Sequence, residues 1–157
     1  MPRNKYKKRR IKPDKLCNSF EIAKLINYVM VDGKKAKAEK IVYQVLDNIK
    51  KQNKNPLNIL SQAIENTSPN MEVRPRRLGG ASYLIPMEVR KERKLFLSLN
   101  WIIEAAKARS NKQYKNFINK LTTEIIDAAN NQGQAVIKKQ QTEKLAESNK
   151  AFSHLRW

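Results

Sequence analysis

Five stretches of this chain carry apolar residues at helical spacing, and each predicts an amphipathic helix. Their approximate bounds are 19–31, 34–51, 55–68, 92–109 and 114–129. Ser19 and Asn55 suit the N-cap positions of the first and third helices, and Pro56 suits the first helical position. The chain is therefore expected to be mainly α-helical.

The apolar faces of these helices predict the core of one domain. Its expected members are Ile22, Leu25, Ile26, Val29, Ala38, Ile41, Val42, Val45, Leu46, Ile49, Leu57, Leu60, Ile64, Leu95, Leu99, Ile102, Ile103, Ala106, Phe117, Ile118, Leu121, Ile125 and Ile126. A sixth helix, at about 134–150, has Val136, Ile137 and Leu145 as its main apolar residues. A helix this polar is expected to pack weakly or to face a partner.

The helical period is lost between residues 71 and 90, where two extended-looking runs flank Gly79 and Gly80. Valine, leucine, isoleucine and tyrosine in these runs favour strands, and the two glycines permit a tight turn. Pro75 and Pro86 are tolerated because a two-stranded ribbon has only edge strands. The segment therefore predicts a β-hairpin set into a helical chain.

Two interpretations of this hairpin remain open at the level of sequence. It is either a small hairpin packed on the core or a basic arm that completes its contacts on an anionic partner. Arg74, Arg76 and Arg77 on one short strand favour the arm, since a lone hairpin is only marginally stable in water. Tyr83 either stacks on a nucleic-acid base or packs within the protein.

The length of 157 residues predicts a single domain that spans the chain, 1–157. It comprises about six helices, one protruding β-hairpin arm at 71–90, a basic N-terminal extension at 1–15, and a C-terminal helix and tail at 134–157. Blocks of like charge such as the extension are usually solvated tails or nucleic-acid arms, and both interpretations stay open.

The high positive net charge indicates that the partner is anionic. The chain has 33 basic and 14 acidic residues, a formal net charge of +19. Nucleic acid is the first candidate partner, an anionic membrane surface the second and an acidic protein the third. The membrane is disfavoured because the sequence has no apolar run of 18 residues. A short, lysine-rich start also disfavours an organelle transit peptide.

Catalytic chemistry is not supported, and no catalytic residue, cofactor or metal is expected. Cys17 and His154 are the only residues of their types, so neither a zinc site nor a disulfide is expected. Cys17 is interpreted as a packing residue near the first helix, and His154 lies in a segment expected to fray. Residues 32–35, DGKK, lack the spacing of a phosphate-binding loop. Glu39, Glu65, Glu104 and Asp127 are expected to pair with nearby cations.

Basic clusters recur at helix ends, at turns and in extended segments, where long side chains reach out of a fold. They lie at 3–12, 34–35, 74–77, 90–94, 107–112 and 138–139. Charge spread over several faces suits a folded RNA read by shape and backbone, whereas a duplex-DNA reader usually places one element in the major groove. A DNA-compacting or regulatory protein is the rival interpretation.

Four stretches together resemble the bacterial-type family of small-subunit ribosomal protein seven. They are INYVMVDGKK at 26–35, VRPRRLGGASYLIPMEV at 73–89, IIDAANNQG at 125–133 and AFSHLRW at 151–157. The resemblance covers nearly the whole chain, and the order of the stretches makes it specific. Leu84, where the family often has a polar residue, and Lys144-Leu145 depart from its pattern.

The resemblance implies a structural protein of the small ribosomal subunit that binds its RNA directly in the 3′ major domain and nucleates assembly of the head. It implies that the arm, residues 74–85, lies near the exit-site tRNA and the mRNA exit channel. Ribosomal proteins nine and eleven are the implied neighbours. The expected location is the ribosome of a bacterial cytoplasm, with an organelle ribosome as the alternative.

The basic clusters and the turn supply the candidate RNA-binding residues. They are Arg3, Lys5, Lys7, Lys8, Arg9, Arg10, Lys12, Lys34, Lys35, Arg74, Arg76, Arg77, Gly79, Gly80, Arg90, Arg93, Lys94, Arg109, Lys138 and Lys139.

Overall fold

A computed structural model describes residues 11–52 and 55–155 of the chain. Within them, six α-helices, one hairpin and a short 3-10 helix follow in order. The elements are α1 (Phe20–Val29), α2 (Lys35–Lys51), α3 (Pro56–Thr67), β1 (Met71–Leu78), β2 (Ala81–Glu88), α4 (Lys91–Ala108), α5 (Phe117–Ala129), α6 (Gln134–Ser148) and a 3-10 helix (Lys150–Leu155). The predicted mainly α fold with a basic hairpin arm is confirmed.

Both predicted N-caps are present. The Ser19 hydroxyl accepts a hydrogen bond from the Ile22 N–H at 3.5 Å, and Asn55 Oδ1 accepts one from the Leu57 N–H at 3.1 Å. Two predicted boundaries shift by a few residues. α1 ends at Val29 because Met30 is already extended, and α5 begins after an extended Asn116 rather than at residue 114.

The core lies around α5, which packs against α2, α3 and α4. Most of the predicted core is buried or half-buried there, and Cys17 packs against its edge as predicted. Leu57 is an exception, because 40% of it is exposed. It occupies the first turn of α3, where a side chain leans towards the helix N-terminus and past the packed surface.

The hairpin is antiparallel, with Arg74 opposite Ile85 and Leu78 opposite Ala81. Gly79 and Gly80 form its exposed tip and have φ of +56° and +90°, the left-handed region that their lack of Cβ permits. Helix α6 packs along β1, and the 3-10 helix packs against β2, where Phe152 contacts Tyr83. The buried residues of the hairpin, Glu72, Ile85 and Pro86, lie in the half next to the helices, and the other half is more exposed.

Helix α6 leaves 42% of Ile137 and 44% of Leu145 exposed, so two of its three main apolar residues do not pack on the core. Its buried residues are Ala135, Val136 and Ala146, whose small side chains let the helix approach closely. Hydrogen bonds made by two polar side chains of α6 add to this packing. Lys139 Nζ donates to the Asn66 carbonyl at 3.1 Å, and Glu143 Oε1 accepts from the Asn70 N–H at 2.8 Å.

The segment after α6 is ordered rather than frayed, which corrects the expectation for His154. His154 lies in the 3-10 helix and its Nδ1 is 2.8 Å from the Ala151 carbonyl oxygen. Phe152 of the same helix places its ring 5.4 Å from the ring of Tyr83. Tyr83 thus packs within the protein, against the C-terminal segment that covers β2.

Candidate RNA interface

Most of the predicted RNA-binding residues that the structure describes are exposed to solvent. The exposed ones are Lys12, Lys34, Lys35, Arg74, Arg77, Gly79, Gly80, Arg90, Arg93 and Lys138, and the half-exposed ones are Arg76, Lys94, Arg109 and Lys139. The predicted residues Arg3, Lys5, Lys7, Lys8, Arg9 and Arg10 lie outside the described residues.

The base of the hairpin and the start of α4 form one corner, and Glu72 organises it. Its carboxylate is buried in β1, with 9% of the side chain exposed. Arg74 donates to Glu72 Oε1 through Nε at 3.0 Å and Nη2 at 2.7 Å, and Arg93 Nε donates to Oε2 at 3.2 Å. One carboxylate thus holds two guanidinium groups side by side and leaves their remaining N–H groups for a partner.

Lys94 and Asn70 extend this corner. Lys94 Nζ donates to Asn70 Oδ1 at 2.6 Å, and the Val89 N–H donates to the Asn70 carbonyl at 3.0 Å. Because the Asn70 N–H also donates to Glu143 on α6, a single residue links the hairpin base, α4 and α6. The corner is therefore positioned by three elements at once.

Beside this corner, a groove of about 710 Å³ opens between α1 and the first turns of α4. We call it the basic groove, and its lining residues are Lys24, Tyr28, Arg90, Lys91, Glu92, Arg93 and Phe96. The Tyr28 and Phe96 rings meet edge to face, with centroids 5.6 Å apart and planes at 82°. Burial raises the pKa of the Tyr28 hydroxyl, so this ring stays neutral at physiological pH.

Sequence reasoning missed Lys24, Tyr28 and Phe96 as functional candidates. One signal was available, since Lys24 and Tyr28 are four residues apart and share a face of α1. Nothing in the sequence indicated that this face meets Phe96 on α4. Lys91 and Glu92 fall inside the predicted 90–94 cluster.

The opposite end of α4 is an internal ion-pair network that we call the Arg109 junction. Glu124 of α5 has no exposed surface, and its Oε2 accepts from Arg109 Nε at 2.7 Å. Arg109 Nη2 also pairs with Asp127 Oδ2. Burial would lower the pKa of Arg109, but the hydrogen bonds to Asp127 and Glu124 outweigh it and raise the pKa further. The Arg109 guanidinium is thus bound by carboxylates of the protein itself.

Glu124 also completes the start of α6. The N-cap of that helix is Gly133, which has no side chain to accept a hydrogen bond, and Glu124 Oε1 accepts from the Ala135 N–H at 3.2 Å. A Cβ on Gly133 would lie 2.9 Å from that same oxygen, and the residue has φ of +93°. Only glycine fits here without displacing the carboxylate.

The remaining predicted cations lie apart from the corner. Lys34 pairs with Asp32 at 3.3 Å and Lys35 with Glu39 at 3.7 Å, at the start of α2. Lys138 pairs with Glu104 at 2.5 Å, while the neighbouring Lys139 contacts the end of α3. Pairing with a neighbour on the same helix is confirmed for Glu39, whereas Glu104 and Asp127 pair with cations that are distant in sequence.

The exposed cations on several faces of the domain suit binding of an extended polyanion. Within residues 11–52 and 55–155, no three His, Cys, Asp or Glu side chains cluster closely enough to hold a metal ion. None of the helices in this part of the chain has the length and apolar character needed to cross a membrane.

Comparison with known proteins identifies related sequences. Residues 1–150 match the family described as ribosomal protein S7p/S5e. A small ribosomal subunit protein uS7 from Caldanaerobacter subterraneus subsp. tengcongensis is 52% identical over 151 residues, covering 96% of this chain and 95% of the relative. Proteins of the same name from Thermoanaerobacter sp. (strain X514) and Thermotoga maritima are 51% and 49% identical, with 100% of each chain covered.

Proposed function

The chain belongs to the family of ribosomal proteins S7p/S5e, and from that premise we propose that it binds small-subunit ribosomal RNA directly through the corner around Glu72 and the basic groove. Membership makes it a structural, non-enzymatic component of the small ribosomal subunit. The finer proposal concerns which surface meets the RNA and where in the subunit the protein lies.

One observation carries the choice of surface. Arg74, Arg90, Arg93 and Lys94 converge where the hairpin meets α4, and buried Glu72 fixes two of their guanidinium groups. Planar guanidinium groups held in place lose little conformational entropy on binding phosphate. Lys34, Lys35, Lys138 and Lys139 provide further phosphate contacts on other faces of the domain.

The tail and the arm extend this interface. We propose that the basic tail, including Lys12, orders on the RNA and neutralises phosphates, and that Arg76 and Arg77 line the distal arm. The proposal does not rest on Arg109, because its guanidinium is used within the Arg109 junction.

The resemblance to the family supports a finer location. On this proposal the protein binds the 3′ major domain, nucleates assembly of the head and contacts ribosomal proteins nine and eleven. The tip at Gly79 and Gly80 then lies near the exit-site tRNA and the mRNA exit channel, where its open surroundings allow close approach to a sugar-phosphate backbone. A bacterial cytoplasmic ribosome is the proposed location, with an organelle ribosome as the alternative.

Binding to folded small-subunit ribosomal RNA and to duplex DNA of equal length tests the proposal. We expect the RNA to bind more tightly, with a slope of log K on log salt of about −4 to −5 if six phosphates are neutralised. Equal affinity for the two nucleic acids would support the DNA-compacting rival instead. Crosslinks from purified ribosomes, mapped to residues of this chain, test the location.

A further inference from the structure

The basic groove combines two features that RNA recognition uses together, namely cations at its rim and aromatic rings at its wall. Lys24, Arg90, Lys91 and Arg93 supply the cations, and Glu92 is the one carboxylate among its lining residues. No carboxylate of the described residues pairs with Arg90 or Lys91. Cations that are left unpaired in a concave site attract anions strongly, because low-dielectric walls focus the field.

The position of these cations on α4 is itself informative. Arg90 is the N-cap of α4 and Lys91 its first residue, and Arg90 makes no side-chain capping bond. Positive side chains at a helix N-terminus oppose the helix dipole, which favours anions there. The unfavourable arrangement becomes favourable once a phosphate lies among the cations and the first-turn N–H groups.

The aromatic wall supplies the second half of the site. Tyr28 and Phe96 are half-buried, so each ring packs partly on the core and partly lines the groove. The Arg93 guanidinium lies 5.1 Å from the Phe96 ring centroid, and Lys24 lines the same groove beside Tyr28. Rings flanked by cations form the surface on which an unstacked base packs, because every base presents an aromatic face.

We propose that the basic groove receives one unpaired nucleotide of the bound RNA. The base packs against the wall formed by Tyr28 and Phe96, and the adjoining phosphates meet Arg90, Lys91 and Lys24. A volume of about 710 Å³ accommodates a nucleotide, since pockets for small molecules span about 300–1,000 Å³. An acidic peptide would satisfy the cations but would leave the rings without a flat partner. This inference rests on the proposed function.

Substitutions in the aromatic wall and among the cations test the inference, with affinity for small-subunit ribosomal RNA as the measurement. Phe96→Leu keeps an apolar side chain but removes the ring, and we expect RNA affinity to fall about tenfold. Phe117→Leu is the matched control, because Phe117 is also half-buried against the core but does not line the groove. It should bind RNA like the unsubstituted protein.

Lys91→Ala tests the phosphate half without touching the core, since Lys91 is exposed. We expect the magnitude of the salt slope to fall by about one, with the thermal unfolding midpoint unchanged. Lys50→Ala, an exposed lysine of the last turn of α2, is the control and should change affinity little. An unchanged affinity and slope in both Phe96→Leu and Lys91→Ala would overturn the inference.

Ultraviolet crosslinking of ribosomes separates the possible occupants of the groove. A nucleotide adduct on Tyr28 or Phe96 supports the inference, and an adduct with a peptide of another ribosomal protein overturns it. Failure of the unsubstituted protein to prefer ribosomal RNA over duplex DNA would defeat the proposed function itself. Preferred RNA binding that the groove variants leave intact would defeat only this inference.

Discussion

The two ends of α4 both carry clustered positive charge, but they use it in opposite ways. At the start of the helix, Arg90 and Lys91 point their charges into an open groove. At its end, Arg109 is held by Glu124 and Asp127 inside the fold. One end therefore presents charge to a partner, and the other neutralises it to join α4, α5 and α6.

The dipole of α4 affects the cations at its two ends in opposite ways. A helix dipole stabilises cations at the C-terminus, and Lys120 donates to the Arg109 carbonyl at the C-cap of α4. The cations at the N-terminus have no such benefit in the free protein. The unfavourable cations at the start of α4 are best explained by a bound anion. The cation at its end, Arg109, is already neutralised by carboxylates of the protein and needs no partner.

The largest expected effect is at the Arg109 junction. Gly133→Ala strains a residue with φ of +93° and brings a Cβ to 2.9 Å from Glu124 Oε1. We expect the free energy of unfolding to fall by about 2–4 kcal/mol, measured by urea denaturation. Gly80→Ala is the control, since Gly80 has φ of +90° but open surroundings. Equal losses in the two variants would show that backbone strain, and not the carboxylate, sets the cost.

Glu124→Gln should have the next largest effect. It removes the buried negative charge that faces Arg109, and we expect the free energy of unfolding to fall by about 2–3 kcal/mol. RNA affinity of the folded variant should not change. Glu104→Gln, which breaks the exposed pair with Lys138, should change stability by less than about 0.5 kcal/mol. A large loss of RNA affinity in folded Glu124→Gln would contradict the division between the two ends.

Arg90→Glu tests the opposite end of the helix. A carboxylate at the N-cap suits the dipole, so unfolding should be unchanged or slightly harder. RNA affinity should fall about tenfold, because an attractive contact with phosphate becomes a repulsive one. Filter binding against small-subunit ribosomal RNA measures the effect. A variant that unfolds more easily but binds normally would assign the cations at this end a structural role.

The smallest expected effect is on the pH dependence of stability, and it concerns Asp14, a buried carboxylate outside α4. Burial alone would raise the pKa of Asp14, but hydrogen bonds from Tyr43 Oη at 2.7 Å and from the Cys17 and Leu16 N–H groups lower it overall. The same burial, together with Asp14, raises the pKa of Tyr43 to about 12.

Because the folded pKa of Asp14 lies below its ordinary value of 3.8, its stabilisation is present above pH 4. It is lost as the pH falls through the folded pKa. Asp14→Asn should therefore be less stable than the unsubstituted protein at pH 6 by about 1 kcal/mol or less, with the gap narrowing as the pH falls below 4. Thermal melts across this range measure it. A gap that does not narrow as the pH falls below 4 would mean that packing, not charge, accounts for the loss.

The sequence predicted the elements because the signals for them are local. Ser19, Asn55 and Pro56 mark helix starts, and Gly79 and Gly80 mark the turn. The sequence predicted only that α6, with few apolar residues, packs weakly or faces a partner, and it did not indicate which surface the helix contacts. The helix packs through alanines and through side-chain contacts with Asn66 and Asn70, more than 70 residues away in sequence.

The sequence by itself determined the class of fold, the sign of the charge and the class of partner. Only the tertiary structure decided which cations face outward. Arg109 meets Glu124 and Asp127 from 15 and 18 residues away, and Arg93 meets Glu72 across 21 residues. The physical reason is that propensity and net charge add along the chain, whereas ion pairing and burial depend on neighbours that folding brings together.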